Sequence, residues 1–276
     1  MRIKVSEQGN VIEVTRYLGG VNSEPHIKKL SADEYLRLSD GEVCEFQHIE
    51  NRADSKITLY RTFRKIRAYI NTNFTGSDSE LFITLTYAEN MRNTTRLLKD
   101  FEKFWKRFKR RWGESDYFVV VEPQNRGAWH MHVLVKFKGK APWIPNGELA
   151  EVWRNGFVNV RKLNDVDNIG AYLSAYLADV EIPIDSEREG IVKEFADGTK
   201  KKFIKGGRLH LYPPGMNIYR FSRGIKKPDE YWATQEMKEA LVSGMNLTYA
   251  NRIEIMTDEG FNQIIEKEFY NKKRKQ

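Results

Sequence analysis

The pattern of hydrophobic and polar positions predicts alternating helices and strands in the first half of the chain. Apolar residues recur at helical spacing over Ser55–Phe74 and again over about residues 93–112. Leu81–Tyr87 is dense in β-branched and aromatic residues, which is typical of a core strand. Tyr117–Glu122 and Trp129–Phe137 are two further strands, and the short segment between them predicts an antiparallel hairpin.

The flanking segments predict further elements and one main sheet. Residues 1–30 alternate weakly and indicate a hairpin or an extended arm. The pattern then predicts a small helix at 147–154, strands at 156–163 and 219–224, a helix at 165–180, an insertion loop or hairpin at 181–206, and a helical tail over 228–276. We therefore expect an α+β fold with a five-stranded antiparallel sheet and flanking helices.

This pattern also suggests a division of the chain into three parts. Residues 1–75 form an N-terminal arm and a basic helix, residues 76–226 form the α+β domain, and residues 227–276 form the C-terminal tail. The polar stretch at 181–206 is an insertion within the second part.

The net charge of +8 is concentrated in one predicted helix. Between Arg92 and Trp112 there are nine Lys and Arg residues against Asp100 and Glu102. The aromatic residues of this segment fall on one helical face and indicate core packing, while the basic residues fill the opposite face. That face either contacts a phosphate backbone or is simply solvated. Its candidate DNA contacts are Lys103, Lys106, Arg107, Lys109 and Arg110.

The remaining composition excludes several classes of protein. A single cysteine, Cys44, forms no intrachain disulfide and favours a buried apolar position in a reducing compartment. The N-terminus has no apolar signal core, and no run approaches the ~20 apolar residues that span a bilayer. We therefore expect a cytoplasmic protein without membrane contact. No G-x-x-x-x-G-K-[ST] loop occurs, which predicts no ATP binding.

The triplet His130-Met131-His132 lies inside a predicted strand. Side chains two apart on a strand project from the same face, so both imidazoles can reach one divalent metal ion. Glu122 ends the partner strand and adds an oxygen ligand if the strand register brings it opposite a histidine; otherwise it is an ordinary strand-end acid. Two nitrogens and one oxygen suit a catalytic Mg²⁺ or Mn²⁺ with open positions. A structural site would normally have four ligands, and the sequence offers no convincing fourth.

Tyr172 and Tyr176 are four residues apart on the predicted helix at 165–180. This spacing places both phenols on one helical face, about 6 Å apart along the axis. Paired tyrosines on a helix usually only pack. Beside a metal site, however, a phenol becomes a credible nucleophile because a cation stabilises the phenolate.

Taken in chain order, these motifs resemble those of the rolling-circle replication initiators of the HUH endonuclease superfamily. Phe82–Tyr87 looks like the FxTLT-like first motif of that family, and Glu122–His132 looks like its second motif. The pair Tyr172 and Tyr176 resembles the two-tyrosine third motif of the phage and plasmid branch. Phe221–Gly224 also resembles a segment near the end of such domains.

The resemblance implies a fold, a reaction and partners. The fold would be the RRM- or ferredoxin-like palm of HUH nucleases. His130, His132 and Glu122 would hold the metal ion, and Tyr172 and Tyr176 would form 5′-phosphotyrosyl links to DNA. The substrate would be single-stranded or hairpin origin DNA in a bacterial host, with a host helicase and polymerase as partners.

The resemblance covers residues 80–226 and has one departure. Ala175 stands where the family often has a lysine, and Asp179 stands where another lysine is expected. A basic side chain elsewhere would then stabilise the transition state. The candidates for that role are Arg126, Arg161 and Lys162, and Arg223 is a further candidate DNA contact.

Three alternative functions remain open at this stage. A single-strand transposase would use the same site to rejoin element ends. A relaxase usually places its tyrosine before the histidines, whereas here it follows them. A non-catalytic nucleic-acid-binding module would bind DNA regardless of EDTA and of His130 and His132.

Overall fold

A computed structural model of the chain describes residues 1–19, 26–46, 56–124, 126–163, 170, 180–187, 191–194, 200–204, 211–213, 215–256 and 262–275. Over these ranges the helices are α1 (Lys56–Asn73), α2 (Thr94–Trp112), α3 (Asn146–Trp153) and α4 (Gln235–Val242). The strands are β1 (Arg2–Gln8), β2 (Val11–Leu18), β3 (Ile27–Lys29), β4 (Glu34–Arg37), β5 (Val43–Glu45), β6 (Glu80–Thr86), β7 (Ser115–Pro123), β8 (Trp129–Phe137), β9 (Val158–Lys162), β10 (Val180–Ile182), β11 (Ile191–Glu194), β12 (Lys200–Ile204), β13 (Tyr219–Phe221), β14 (Asp229–Ala233), β15 (Met245–Met256) and β16 (Asn262–Lys275).

The predicted five-stranded antiparallel sheet is confirmed. Its strand order is β13-β7-β8-β6-β9, and each neighbouring pair is antiparallel. We call it the central sheet. β7 and β8 form the predicted hairpin, while β6 pairs with β8 on one side and β9 on the other. The two edges are therefore β13 and β9.

One face of the central sheet is covered by α2. Trp105 places its ring 4.7 Å from that of Tyr117 on β7, and Phe108 lies 6.2 Å from Phe137 on β8. The buried side of α2 is thus the aromatic stripe that the sequence predicts. The helix begins at an N-cap, Asn93, whose side chain accepts the backbone N–H of Arg96.

The opposite face of the central sheet carries α1. The ring of Tyr69 lies 6.3 Å from that of Phe118 on β7, and the next positions on that face of β7 are residue 120 and Glu122. Because strand side chains alternate, His130 and His132 of β8 share this face. The candidate metal ligands therefore lie on the α1 side of the sheet, away from α2.

The two ends of the chain form a second five-stranded sheet in the order β14-β1-β2-β16-β15. Its apolar face packs against α4 through Val5, Val14, Val242 and Tyr270. The hairpin prediction for the N-terminal arm corresponds to β1 and β2. We call this sheet the terminal sheet.

The predicted helical tail over residues 228–276 is wrong. Among the described residues of this segment α4 alone is helical, and β14, β15 and β16 are strands. Charged residues interrupt the apolar positions here, as in Glu266-Lys267-Glu268, so the period of two is obscured. What fixes these residues as strands is the pairing of β16 with β2, which is a contact between opposite ends of the chain.

Two three-stranded sheets complete the described fold. The insertion at 181–206 takes the hairpin form, with β11 and β12 paired and β10 added to β12. The other sheet, β3-β4-β5, has no counterpart in the sequence prediction. Of the helix predicted at 165–180, only Gly170 and Val180 are described: Gly170 is helical and Val180 begins β10. None of the described helices has the length and hydropathy needed to cross a membrane.

Candidate metal centre

Glu122, His130 and His132 converge on one point of the central sheet. Oε2 of Glu122 lies 3.0 Å from Nε2 of His130 and 2.9 Å from Nε2 of His132. Glu122 and His130 are direct cross-strand partners, which settles the register that the sequence left open. The two imidazoles, two residues apart on β8, have ring centroids 4.6 Å apart.

These three side chains have the donor set and spacing of a metal site. Their ligand atoms all lie within 4.8 Å of one another, and the group could hold a metal ion. Octahedral ions such as Mg²⁺ bind ligands at about 2.1 Å, so adjacent ligands lie about 3 Å apart, close to the separations seen here. Among the described residues it is the single cluster of three such side chains.

The burial of the group is uneven. The Glu122 side chain is 6% exposed, whereas those of His130 and His132 are 15% and 19% exposed. The carboxylate is thus enclosed by the sheet, while the histidines border solvent. This arrangement leaves one side open for a substrate oxygen or water.

The protonation states of the group favour metal binding. Burial by itself would raise the pKa of Glu122, but hydrogen bonds from His130 and His132 outweigh it and lower the pKa well below the usual value. Burial lowers the pKa of His132. At neutral pH the group therefore offers an ionised oxygen and, at His132, a neutral imidazole, which are the forms that bind metals.

Two residues of β6 support His132. The ring of Phe82 stacks on the imidazole at 5.5 Å and 12°, and Thr84 Oγ1 lies 3.5 Å from Nδ1, at the outer limit of a hydrogen bond. Thr84 is also the cross-strand partner of His132. The sequence reasoning missed this supporting role because the partner of β6 cannot be read from local pattern, although Phe82 and Thr84 sit at alternate positions of a predicted strand.

The loop between β7 and β8 is braced by arginines. Arg126 donates to the backbone oxygen of Tyr87 at 3.0 Å and to Gln124 Oε1 at 3.0 Å. Arg92 in turn donates to the carbonyl of Arg126 at 2.9 Å. Gly127 has φ +82°, and a Cβ there would lie 3.1 Å from the Arg92 guanidinium. The guanidinium of Arg126 therefore holds the hairpin loop, which is a structural use for a predicted DNA contact.

The basic residues of α2 lie on the far side of the central sheet from the metal group. Arg107 donates to the carbonyls of Val152 and Trp153 at the end of α3, at 2.8 and 3.3 Å. Lys109 forms an ion pair with Glu114 at 3.1 Å. Their role in DNA binding stays a prediction, as it does for the exposed residues Lys103, Lys106 and Arg110.

The other predicted basic contacts are divided between the two faces and edges of the sheet. Arg161 pairs with Phe82 across β9 and β6 and therefore lies on the face of the metal group, whereas Lys162 pairs with Leu81 and lies on the α2 face. Arg223 is exposed in the turn after β13, at the opposite edge. Of these three, the structure brings Arg161 alone onto the metal side beside the histidine strand.

Tyr172 and Tyr176, together with Ala175 and Asp179, lie outside the described residues. Gly170, just before them, is described. Its N–H donates to Asn71 Oδ1 on α1 at 2.8 Å, and a Cβ there would lie 2.5 Å from the carbonyl oxygen of Arg67. The chain therefore lies against α1 two residues before Tyr172, and α1 covers the face of the metal group.

Residues 80–181 match the sequence model of a family of replication-associated proteins, the ORF2 type. The matched span is somewhat more than a third of the chain and includes β6, β7, β8 and all three candidate metal ligands. No curated protein and no solved structure matches the chain. The family match supports a role in the initiation of replication.

Proposed function

We propose that this protein is a metal-dependent DNA nickase that initiates rolling-circle replication through a phosphotyrosine intermediate. The observation that carries the proposal is the position of Glu122 Oε2 within 3.0 Å of His130 Nε2 and His132 Nε2, on a solvent-bordered face of the sheet. The match of residues 80–181 to a replication-associated family supports the same activity.

The three ligands would hold Mg²⁺ or Mn²⁺, since an oxygen and two imidazole nitrogens suit hard and borderline divalent ions. When bound, such an ion draws charge from the non-bridging oxygens of a phosphate. Glu122 contributes a fixed negative charge, because its hydrogen bonds keep the pKa low despite burial. Thr84 and Phe82 hold the ring of His132 in its orientation.

The nucleophile in this proposal is the phenol oxygen of Tyr172 or Tyr176. The phenol loses its proton to solvent as its oxygen bonds to the scissile phosphorus. The bond from phosphorus to the 3′ oxygen breaks, and that oxygen takes up a proton to become a free 3′-hydroxyl. The 5′ phosphate stays esterified to tyrosine, so rejoining needs no ATP.

The products define the partners. The released 3′-hydroxyl can prime a host polymerase, and a host helicase would unwind the duplex because the sequence has no ATP-binding loop. A second tyrosine one helical turn away could take the displaced strand after one circuit. The substrate is then single-stranded DNA, either displaced or in an extruded hairpin.

A covalent adduct tests this proposal. The full chain would be incubated with Mn²⁺ and single-stranded oligonucleotides tiling the DNA that flanks its own gene, then run on a denaturing gel. We expect an adduct with the wild type and with Tyr249→Phe, a control tyrosine exposed on β15. We expect none with Tyr172→Phe/Tyr176→Phe or in EDTA.

Two outcomes would contradict the proposal. An adduct that persists in the double tyrosine variant would remove the assigned nucleophiles. DNA binding without any adduct, unchanged by EDTA and by His130→Ala or His132→Ala, would indicate a non-catalytic nucleic-acid-binding protein. A transposase would instead give rejoined element ends in place of a 3′-hydroxyl that primes synthesis.

A further inference from the structure

The edge strand β9 presents a row of three exposed side chains beside the metal group. Phe157, Asn159 and Arg161 occupy alternate positions and share one face. Asn159 pairs with Thr84, which in turn pairs with His132. The N–H of residue 86, the partner of His130, donates to the carbonyl of Phe157 at 2.8 Å, so the row continues one residue before β9.

The chemistry of this row is that of a contact for unpaired nucleotides. The Phe157 side chain is 72% exposed at a sheet edge. A single exposed aromatic needs no explanation by itself. Here, however, a polar amide and a cation stand on the same face of the same strand, which makes the row uneven in character for a protein contact and suited to a base followed by a phosphate.

Arg161 is held in a way that leaves its hydrogen-bond donors available. Its guanidinium carbon lies 4.8 Å from the centre of the Phe82 ring, and the other neighbour of that ring is His132. A stacked guanidinium keeps its N–H groups in the plane of the group, directed past the ring. Arg161 is thus a fixed cation on the metal side of the sheet.

The row is close enough to the metal group for both to contact one short stretch of strand. β9 is two strands from β8, and two strand spacings amount to about 10 Å. A phosphate at the histidines and a base at β9 therefore belong to neighbouring nucleotides of one chain.

We propose that Phe157, Asn159 and Arg161 form a binding strip for single-stranded DNA next to the metal group. A base stacks on Phe157, the Arg161 guanidinium binds a phosphate, and the amide of Asn159 contacts the nucleotide between them. The proposal rests on the proposed function for its choice of DNA as the polyanion. Duplex DNA does not fit, because its bases are already stacked and cannot lie on a side chain.

Binding of a labelled oligothymidylate of about 12 nucleotides tests the strip. The full chain is titrated in EDTA, with fluorescence anisotropy as the signal, so the measurement needs neither the metal nor the origin sequence. We expect Phe157→Ala to weaken binding about 5- to 100-fold, and Phe157→Tyr to restore it to within about 2-fold, because stacking accepts any aromatic ring.

The variant Arg161→Ala should weaken binding and reduce the slope of log affinity against log salt by about 0.7, the value for one phosphate contact on a single strand. Lys162→Ala is the matched control for charge on the same strand but the opposite face. Trp143→Ala is the control for an exposed aromatic, since Trp143 is 85% exposed in the connection from β8 to α3. Both controls should bind like the wild type.

Several results would overturn the strip. These are failure of the wild type to bind oligothymidylate, equal losses in Phe157→Ala and Trp143→Ala, or sedimentation showing that Phe157→Ala only breaks a dimer while DNA affinity is unchanged. The outcome is separate from that of the nicking assay. Adduct formation with normal binding by Phe157→Ala would remove the strip alone, and aromatic-dependent binding without an adduct would remove the nickase alone.

Discussion

Two buried carboxylates of the central sheet show how residue environment separates a structural acid from a candidate ligand. Glu80 accepts the backbone N–H groups of Thr75 and Gly76 at distances of 2.8–3.2 Å, so it ties a loop to the sheet. Glu122 faces two imidazoles. Backbone donors cannot be exchanged for a cation, whereas imidazole nitrogens can bind one in place of a proton.

Replacing these two acids in turn separates metal binding from folding. Glu122→Gln should weaken Mn²⁺ binding by more than about tenfold, because it removes the ionised oxygen ligand. Glu80→Gln should leave Mn²⁺ affinity unchanged but lower the free energy of unfolding by about 1–3 kcal/mol, since its oxygens accept charge-assisted bonds. Isothermal titration calorimetry and urea denaturation measure the two effects. Equal Mn²⁺ affinity in wild type and Glu122→Gln would refute the assigned ligand.

At the scale of elements, the attachment of β9 depends on one glycine. Gly156 has φ +147°, and a Cβ on it would lie 2.3 Å from the backbone nitrogen of Ala88 and 2.5 Å from the carbonyl oxygen of Thr86. The end of β6 and the start of β9 can approach this closely only without a side chain. Among the described strands β9 pairs with β6 alone, so its position beside the metal group follows from this contact.

We therefore expect Gly156→Ala to lower the free energy of unfolding by at least about 2 kcal/mol, through backbone strain and steric overlap. Gly139→Ala is the matched control, because a Cβ there meets nothing within 4 Å. Urea denaturation of both variants checks this prediction. Equal stability would mean that β9 can move away from β6 without cost.

The helix α4 is joined to the terminal sheet by charges around Glu268. Its carboxylate lies 2.7 Å from Arg16 on β2 and 3.1 Å from Lys238 on α4, and it accepts the hydroxyl of Tyr270 at 2.7 Å. Burial would raise the pKa of Glu268, but the bonds from Tyr270 and Lys238 and the charge of Arg16 lower it below the usual value. The ionised form is therefore the one that stabilises the fold.

This shift gives a pH dependence of known sign. A carboxyl whose pKa is lower in the folded state stabilises the protein above its unfolded pKa of about 4.3 and loses that stabilisation as pH falls towards the folded value. Glu268→Gln should therefore be less stable than the wild type at pH 7 by about 1–2 kcal/mol. The difference should shrink below about pH 4. Urea denaturation at several pH values measures it, and a difference that grows with acidity would contradict the assignment.

On the scale of the whole molecule, α1 connects the central and terminal sheets. Ile66, Ile70 and Phe74 belong to the core of the central sheet. On its other side, Arg64 forms an ion pair with Glu13 at 3.1 Å. A guanidinium of the same helix lies 4.9 Å from the centre of the Phe269 ring on β16. The helix that covers the metal face is thus held by residues from both ends of the chain.

This arrangement predicts how fragments behave. Residues 76–226, the α+β domain predicted from sequence, lack α1 and would expose the apolar surface that it covers. We expect this fragment to show no cooperative thermal unfolding, whereas residues 56–226 should unfold cooperatively at a lower temperature than the full chain. Circular dichroism during heating measures both. Cooperative unfolding of 76–226 at the midpoint of 56–226 would mean that α1 is not part of the folded domain.

The sequence alone determined the features that depend on local periodicity. The spacing of aromatics predicted α2, and the alternation around His130 and His132 placed both imidazoles on one face, because side-chain direction in a helix or strand repeats every few residues. The same reasoning predicted the β7–β8 hairpin and the five-stranded antiparallel sheet.

Only the tertiary structure decided which strands lie beside one another. Strand pairing is made by hydrogen bonds between residues far apart in sequence, so no local pattern encodes it. This pairing set Glu122 opposite His130, put Arg161 on the metal face and Lys162 on the other, and paired β16 with β2, where the sequence had predicted a helical tail.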